Sequence, residues 1–263
     1  MNKPKTFEYA QRPSGPLMLD LYPATSGKAR ALILFGYGGG FTKGNRDNKL
    51  HQPMVTRLRK AGFAVAIPDY RLNTGADDVT EDEALQSRRL ANRVERQGWG
   101  MARKLFDLRL FTACQDISDA LRFCRTAAPD WKVASPRIGM LGVSAGGLAG
   151  NALCYPPGVW QAALTAPDAM VSLAAPVVHD WRIRRGGPPL WVIHGKRDRI
   201  IPSAASEATV HASEKSGADV QVTIPPDAPH IGIDKYVLGT KSDSGAVYFD
   251  DIISFFDRHL LEV

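Results

Sequence analysis

The stretch ALILF at 31–35 is continuously apolar. A strand with one wet face alternates apolar and polar residues. A run without alternation must be covered on both faces, as a central strand of a parallel sheet is. Similar short runs recur at 63–72 (broken by Pro68), 137–142, 170–176, 189–195 and 219–225, while 17–22 alternates with period two. Helical patterns lie between them. Met54, Val55 and Leu58 share one face of a helix that stops at Gly62, and Ile117, Ala120, Leu121 and Cys124 recur at helical spacing. Over 246–263, Ile252, Phe255, Phe256 and Leu260 form the inward face of a closing amphipathic helix. This order predicts an α/β class: a mostly parallel central sheet with helices on both faces. At 263 residues the chain suits a single domain over 1–263.

One segment breaks the alternation. Residues 73–113 carry no strand pattern. Thr80 and Glu83 make a capping box for a helix to about Gln97, glycines flank Trp99, and a second helix is expected to carry Met101, Leu105, Leu108 and Phe111. Five acids lie between Asp77 and Glu83, and seven bases between Arg88 and Arg109. The segment reads as an inserted helical cap, with Trp99, Met101 and Phe106 available to cover a cleft. Two surface helices lying beside the sheet are the plainer alternative.

Composition narrows the function classes. Cys114, Cys124 and Cys154 form no C-x-x-C pair and no zinc-like spacing, so reduced thiols in a cytoplasmic protein are expected, without a metal or other cofactor. The net charge of +6 comes without basic blocks interleaved with aromatics, so no nucleic-acid partner is expected. No apolar run is long enough for a membrane span, and no apolar stretch follows the N-terminal lysines as it would in a secretory leader.

The chemistry centres on Gly142-Val143-Ser144-Ala145-Gly146, a G-x-S-x-G that follows an apolar strand and opens a small-residue helix. That context is what a nucleophile elbow needs: a serine on a sharp turn, with free N–H groups of a helix N-terminus behind it. A serine hydroxyl needs a base and an orienting acid. The candidate bases are His51, His179, His194, His211, His230 and His259. His230 lies in a proline-rich loop after the last strand, and loops at the carboxyl ends of parallel strands converge on one cleft. Asp198 follows a buried strand between the serine and that histidine; Asp168 and Asp180 compete with it. The order Ser…Asp…His is that of one serine hydrolase fold among several.

With these pieces in place, the chain resembles the α/β-hydrolase superfamily, in particular the hormone-sensitive-lipase-like and BD-FAE-like esterases. The matching segments are LDLYP at 19–23, YGGGFTKGNR at 37–46, IPDYRL at 67–72, GVSAGG at 142–147, HGKRDRIIP at 194–202 and PHIGI at 229–233. The resemblance implies a triad of Ser144, Asp198 and His230, and an oxyanion hole from the N–H groups of Gly39, Gly40 and Ala145. Two departures stand out. Tyr37 occupies the place where such chains usually carry histidine; a phenol there either anchors the glycine loop or faces the substrate. The segment at 73–113 is also longer than usual.

The expectation is therefore a serine hydrolase that cleaves a carboxylic ester of a small molecule through an acyl-enzyme. Amide or thioester cleavage, or acyl transfer, by the same three residues is the alternative. A non-catalytic ligand binder or a scaffold ranks below these. Tyr37, Phe41, Trp99, Met101 and His179 are the expected pocket residues. Acyl length, alcohol identity and oligomeric state are not readable from the sequence.

Overall fold

The computed structural model describes residues 3–161 and 163–261; the last two residues of the predicted closing helix lie outside them. Eight strands form one sheet: β1 (Lys5–Arg12), β2 (Gly15–Tyr22), β3 (Leu32–Gly36), β4 (Ala64–Pro68), β5 (Ile138–Val143), β6 (Ala169–Leu173), β7 (Leu190–Ile193) and β8 (Val220–Thr223). Their spatial order is β1-β2-β4-β3-β5-β6-β7-β8. The β1–β2 and β2–β4 pairs are antiparallel and all others parallel. Every residue of β3, β4, β6 and β7 is buried, as continuous apolar runs require of strands covered on both faces.

Helices α1 (Gln52–Lys60), α2 (Glu81–Glu95), α3 (Leu108–Ala127), α4 (Ala145–Cys154), α5 (Ala204–Ser216), α6 (Ile233–Gly239) and α7 (Tyr248–Leu261) complete the chain. The capping box forms as predicted: Thr80 Oγ1 accepts from the Glu83 N–H, and Glu83 Oε2 accepts from the Thr80 N–H. The predicted inner face of the closing helix, Ile252, Phe255, Phe256 and Leu260, is buried in α7.

The second predicted helix of the inserted region is different in the structure. Met101 lies outside any helix, and Leu105 ends a short 3-10 turn, Arg103–Leu105. Helix α3 then starts at Leu108 under an Asp107 cap and runs unbroken past residue 113 to Ala127. The pattern divides there only on paper; Leu110, Cys114, Ile117 and Leu121 are all buried along one continuous helix. Strand β1 carried no clear sequence signal because its burial alternates weakly at the sheet edge.

Asp116 of α3 is fully buried and accepts from the Arg71 backbone N–H at 2.8 Å, from the Arg71 guanidinium and from Arg12 Nε. A buried carboxylate is tolerable only with its lone pairs satisfied, and these bonds tie the chain leaving β4 to α3. The three cysteines are free and buried. Among the described residues no helix is long and apolar enough to cross a membrane.

Helix α4 sits unusually close to the sheet. A Cβ on Gly146 would stand 2.3 Å from the carbonyl carbon of Gly36, and one on Gly142 would stand 2.6 Å from the Gly146 carbonyl oxygen. Both obstacles are backbone, which cannot swing aside. Gly146→Ala is therefore expected to lose about 3 kcal/mol or more of stability, read as a shifted midpoint in chemical denaturation or as failure to recover soluble protein.

Candidate active site

The turn between β5 and α4 puts Ser144 at φ 52° and ψ −117°, a conformation that costs a non-glycine residue of order 1–3 kcal/mol. The Ser144 N–H is anchored on the Leu173 carbonyl at 2.8 Å, and its carbonyl accepts from Leu148 at 2.8 Å. The hydroxyl is thereby held out at the carboxyl edge of the sheet.

Ser144 Oγ lies 3.0 Å from His230 Nε2, and His230 Nδ1 lies 2.6 Å from Asp198 Oδ2. Because Asp198 can only accept, the proton sits on Nδ1, which leaves Nε2 free to accept from the serine hydroxyl. Asp198 Oδ1 takes the N–H groups of Ile200 and Ile201, both at 2.8 Å. Its Oδ2 also accepts from His194 Nε2 at 3.0 Å, while Ser206 Oγ donates to His194 Nδ1 at 2.6 Å. Burial alone raises the Asp198 pKa. The hydrogen bonds from His194, His230 and Ile201 outweigh it and hold the carboxyl well below the usual carboxylate range. Among the described residues Asp198 makes no ion pair with its sequence neighbours Arg197 and Arg199.

The competing residues have other work. Asp168 accepts from the Ile138 N–H at 2.7 Å and pairs with Arg125, pinning the start of β5. Asp180 opens a 3-10 turn and accepts from the Trp181 N–H. The part played by His194 carried no sequence signal beyond its place at the end of a buried strand.

The glycine loop lies directly over the serine: a Cβ on Gly38 would be 3.2 Å from Ser144 Cβ. Gly39 at φ 136° adopts a backbone open to glycine, and a Cβ there would strike the Lys43 carbonyl oxygen at 1.8 Å. Its own carbonyl accepts from Thr42 and Lys43, closing the turn. Among the described residues the N–H groups of Gly39, Gly40 and Ala145 donate no hydrogen bond; Gly39 and Gly40 line the same cavity as Ser144, and Ala145 follows the serine in the chain.

Tyr37 is a correction to the expected pocket. Its side chain is buried behind the loop, stacked on Tyr70 with ring centroids 4.4 Å apart. The Tyr70 hydroxyl donates to the Tyr37 carbonyl at 2.8 Å, and that carbonyl also accepts from the Gly146 N–H at 3.0 Å. Of the two readings open in the sequence, the structure has the loop anchor. Burial pushes the Tyr37 hydroxyl well above the ordinary phenol range.

A cavity of about 660 Å³ opens in front of Ser144 and His230, walled by Gly38–Gly40, Leu50, His51, Met54, Lys104, Leu105, Ile231 and Ile233 among others. Phe41, Trp99, Met101 and His179 are not on this wall. Phe41 is fully buried edge-on to Tyr70, and Trp99 and Met101 are half-buried against the core. The inserted region does reach the cavity, through Ala102, Lys104 and Leu105. Three of its six arginines are occupied elsewhere, Arg103 with Glu95, Arg109 with Asp107 and Arg93 over the Trp181 ring, and none of the six is on the cavity wall.

His51 lines the cavity, packed against Phe35, with its Nε2 buried and unpartnered. Burial lowers its pKa to about 4, with Asp234 opposing. His179 is fully buried between Trp160 and Trp181, with both ring nitrogens unpartnered. Burial first, and then the Arg93 and Arg182 charges, lower its pKa to about 3. Among the described residues no group of three or more His, Cys, Asp or Glu side chains is placed to hold a metal ion.

No family model and no curated protein matches the chain. Solved structures do. Native esterase 2 of Thermogutta terrifontis superposes with a TM-score of 0.70 at 17% identity, over 97% of this chain and 92% of that one. The same protein phosphorylated by paraoxon gives 0.70 at 18%, over 100% and 95%. Its butyrate-bound form gives 0.69 at 17%, over 99% and 96%. The fold is the α/β-hydrolase fold. Between β4 and α3 the chain runs through α2 and short 3-10 turns without adding a strand.

Neutral burial of His51 and His179 has a pH consequence. Their folded pKa values lie below the ordinary histidine value, so between about pH 6.5 and pH 4 the unfolded chain binds more protons than the folded one. Stability present above pH 6.5 is lost on acidification, by up to about 2 kcal/mol for each histidine at pH 5. His179→Phe is expected to flatten this dependence, measured as the difference in Tm between pH 7 and pH 5.

Proposed function

We propose that the chain is a serine hydrolase that cleaves carboxylic esters of small molecules through an acyl-enzyme. The observation that carries this is the continuous hydrogen-bonded path Ser144–His230–Asp198 at 3.0 and 2.6 Å, opening on a cavity that Gly39 and Gly40 also line with unoccupied backbone donors. In the proposed reaction Ser144 Oγ attacks the ester carbonyl while His230 Nε2 takes its proton. Asp198 holds the Nδ1 tautomer and stabilises the imidazolium. The N–H groups of Gly39, Gly40 and Ala145 receive the developing oxyanion, each worth about 10²–10³ in rate in comparable sites. The imidazolium then protonates the departing alcohol, and a water deprotonated by the same nitrogen releases the acid and restores the serine.

The similar Thermogutta protein is an esterase that paraoxon phosphorylates and that binds propionate and butyrate. That supports an ester substrate with a short acyl group; the further assignment to the hormone-sensitive-lipase-like and BD-FAE-like esterases is our reading of the sequence motifs. Three buried unpaired thiols support a reducing compartment such as the cytoplasm.

Ser144→Ala is expected to lower kcat/KM on p-nitrophenyl butyrate by at least about 10⁴-fold, with an unchanged circular dichroism spectrum. Wild-type protein should take up one fluorophosphonate per chain at Ser144, detected by mass spectrometry. Turnover undiminished in the alanine variant would overturn the assignment, and labelling without turnover of esters would favour another acyl substrate.

A further inference from the structure

We infer that the cavity selects esters whose acyl part carries a second, ionised carboxylate, with Lys104 as the main receiving cation and Lys43 as its neighbour. The inference rests on the ester-hydrolase reading and adds a substrate class to it.

Both lysines stand on the wall of the cavity that Ser144 and His230 share. Lys104 belongs to the inserted region, yet its side chain lies along the glycine turn: its Cε is 3.9 Å from the place a Gly40 Cβ would occupy. The turn that carries it is anchored by the buried Leu105 and Phe106, so its root is held in position. Among the described residues neither lysine has an ion-pair partner. Asp47, four residues after Lys43, makes no ion pair with it among the described residues, and the acids near Lys104 in sequence are committed elsewhere. Glu95 holds Arg103, Asp107 caps α3 and holds Arg109, and Glu83 closes the capping box and accepts from Gln115. Two cations beside a proposed oxyanion site, neither of them ion-paired to a protein carboxylate among the described residues, favour an anionic group on the ligand.

One carboxylate does line the cavity, and it decides which half of the substrate carries the charge. Asp234 lies in the segment that continues from His230, and its field acts on His51. The departing alcohol must lie beside His230 to receive its proton. An anion on that half would face Asp234, whereas an anion on the acyl half is drawn to the lysines. Leu50, Met54 and Leu105 supply apolar surface for the methylenes between the two carbonyl groups.

The test compares p-nitrophenyl butyrate with the mono-p-nitrophenyl ester of glutaric acid, which differs chiefly by a terminal carboxylate. The readout is the ratio of kcat/KM for the anionic ester to that for the neutral one, at about 20 mM and about 0.5 M salt. The wild-type ratio is expected above unity at low salt and to fall at high salt. Lys104→Met should lower it about tenfold and remove most of its salt dependence, while Lys104→Arg should restore it. A ratio insensitive to salt and unchanged in Lys104→Met and in the Lys43→Met/Lys104→Met double variant would overturn the inference and leave the esterase reading intact. If wild-type protein turned over neither ester, both would fail.

Discussion

The approach of α4 to the end of β3 is the constraint on which the site depends. Gly142 and Gly146 let two backbones pass where a single methyl group would collide with a carbonyl, and a Cβ on Gly36 would stand 3.1 Å from the Gly146 Cα. At that crossing the Tyr37 carbonyl accepts from the Gly146 N–H and from the Tyr70 hydroxyl. One oxygen therefore joins three segments: the glycine loop, the first turn of α4 and the chain leaving β4. The serine on one side and the unoccupied N–H groups on the other are held at a fixed distance by backbone contacts rather than by flexible side chains. Preorganisation of this sort lets donors meet a developing charge without rearrangement.

Tyr37 shows how a local departure from a motif can leave the geometry standing. The ring fills the space behind the loop, stacks on Tyr70 and lies parallel to His51 at a greater separation. The side-chain hydrogen bond from the Tyr70 N–H is long, at 3.4 Å. The anchor is thus mostly apolar packing plus the carbonyl that any residue at this position would offer. The same packing keeps His51 dry and neutral at the cavity wall. On the far side of Asp198, His194 and Ser206 continue the hydrogen-bonded chain, so both carboxylate oxygens are satisfied and the acid has little freedom to turn.

The inserted region divides into anchor and wall. Arg71 and Asp116 fix its root, and the Asn73 N–H and side-chain amide donate to the carbonyls of Phe41 and Thr42, fastening it to the glycine loop. Its large aromatic residues turn inward to the core, and the short turn around Lys104 is what reaches the cavity. Charge segregation in this stretch supports helix capping and arginine pairing. The two cations left for the cavity are lysines, one of them from outside the inserted region.

What the sequence determined by itself was whatever rests on local chemistry. Continuous apolar runs require strands covered on both faces, the capping box starts α2, and Gly142, Ser144 and Gly146 define a turn few other residues permit. The order of Ser144, Asp198 and His230 after β5, β7 and β8 was legible for the same reason: parallel strands deliver their following loops to one edge. Only the tertiary structure decided what depends on which side chains meet across long separations. It turned Tyr37, Phe41 and His179 inward, gave Asp198 its second histidine, ran α3 through a division the pattern suggested, and gave the cavity Lys104 and His51 in place of Trp99 and Met101. Periodicity says which residues must leave water. It does not say which of several buried faces they will occupy, because that is settled by packing among elements far apart in the chain.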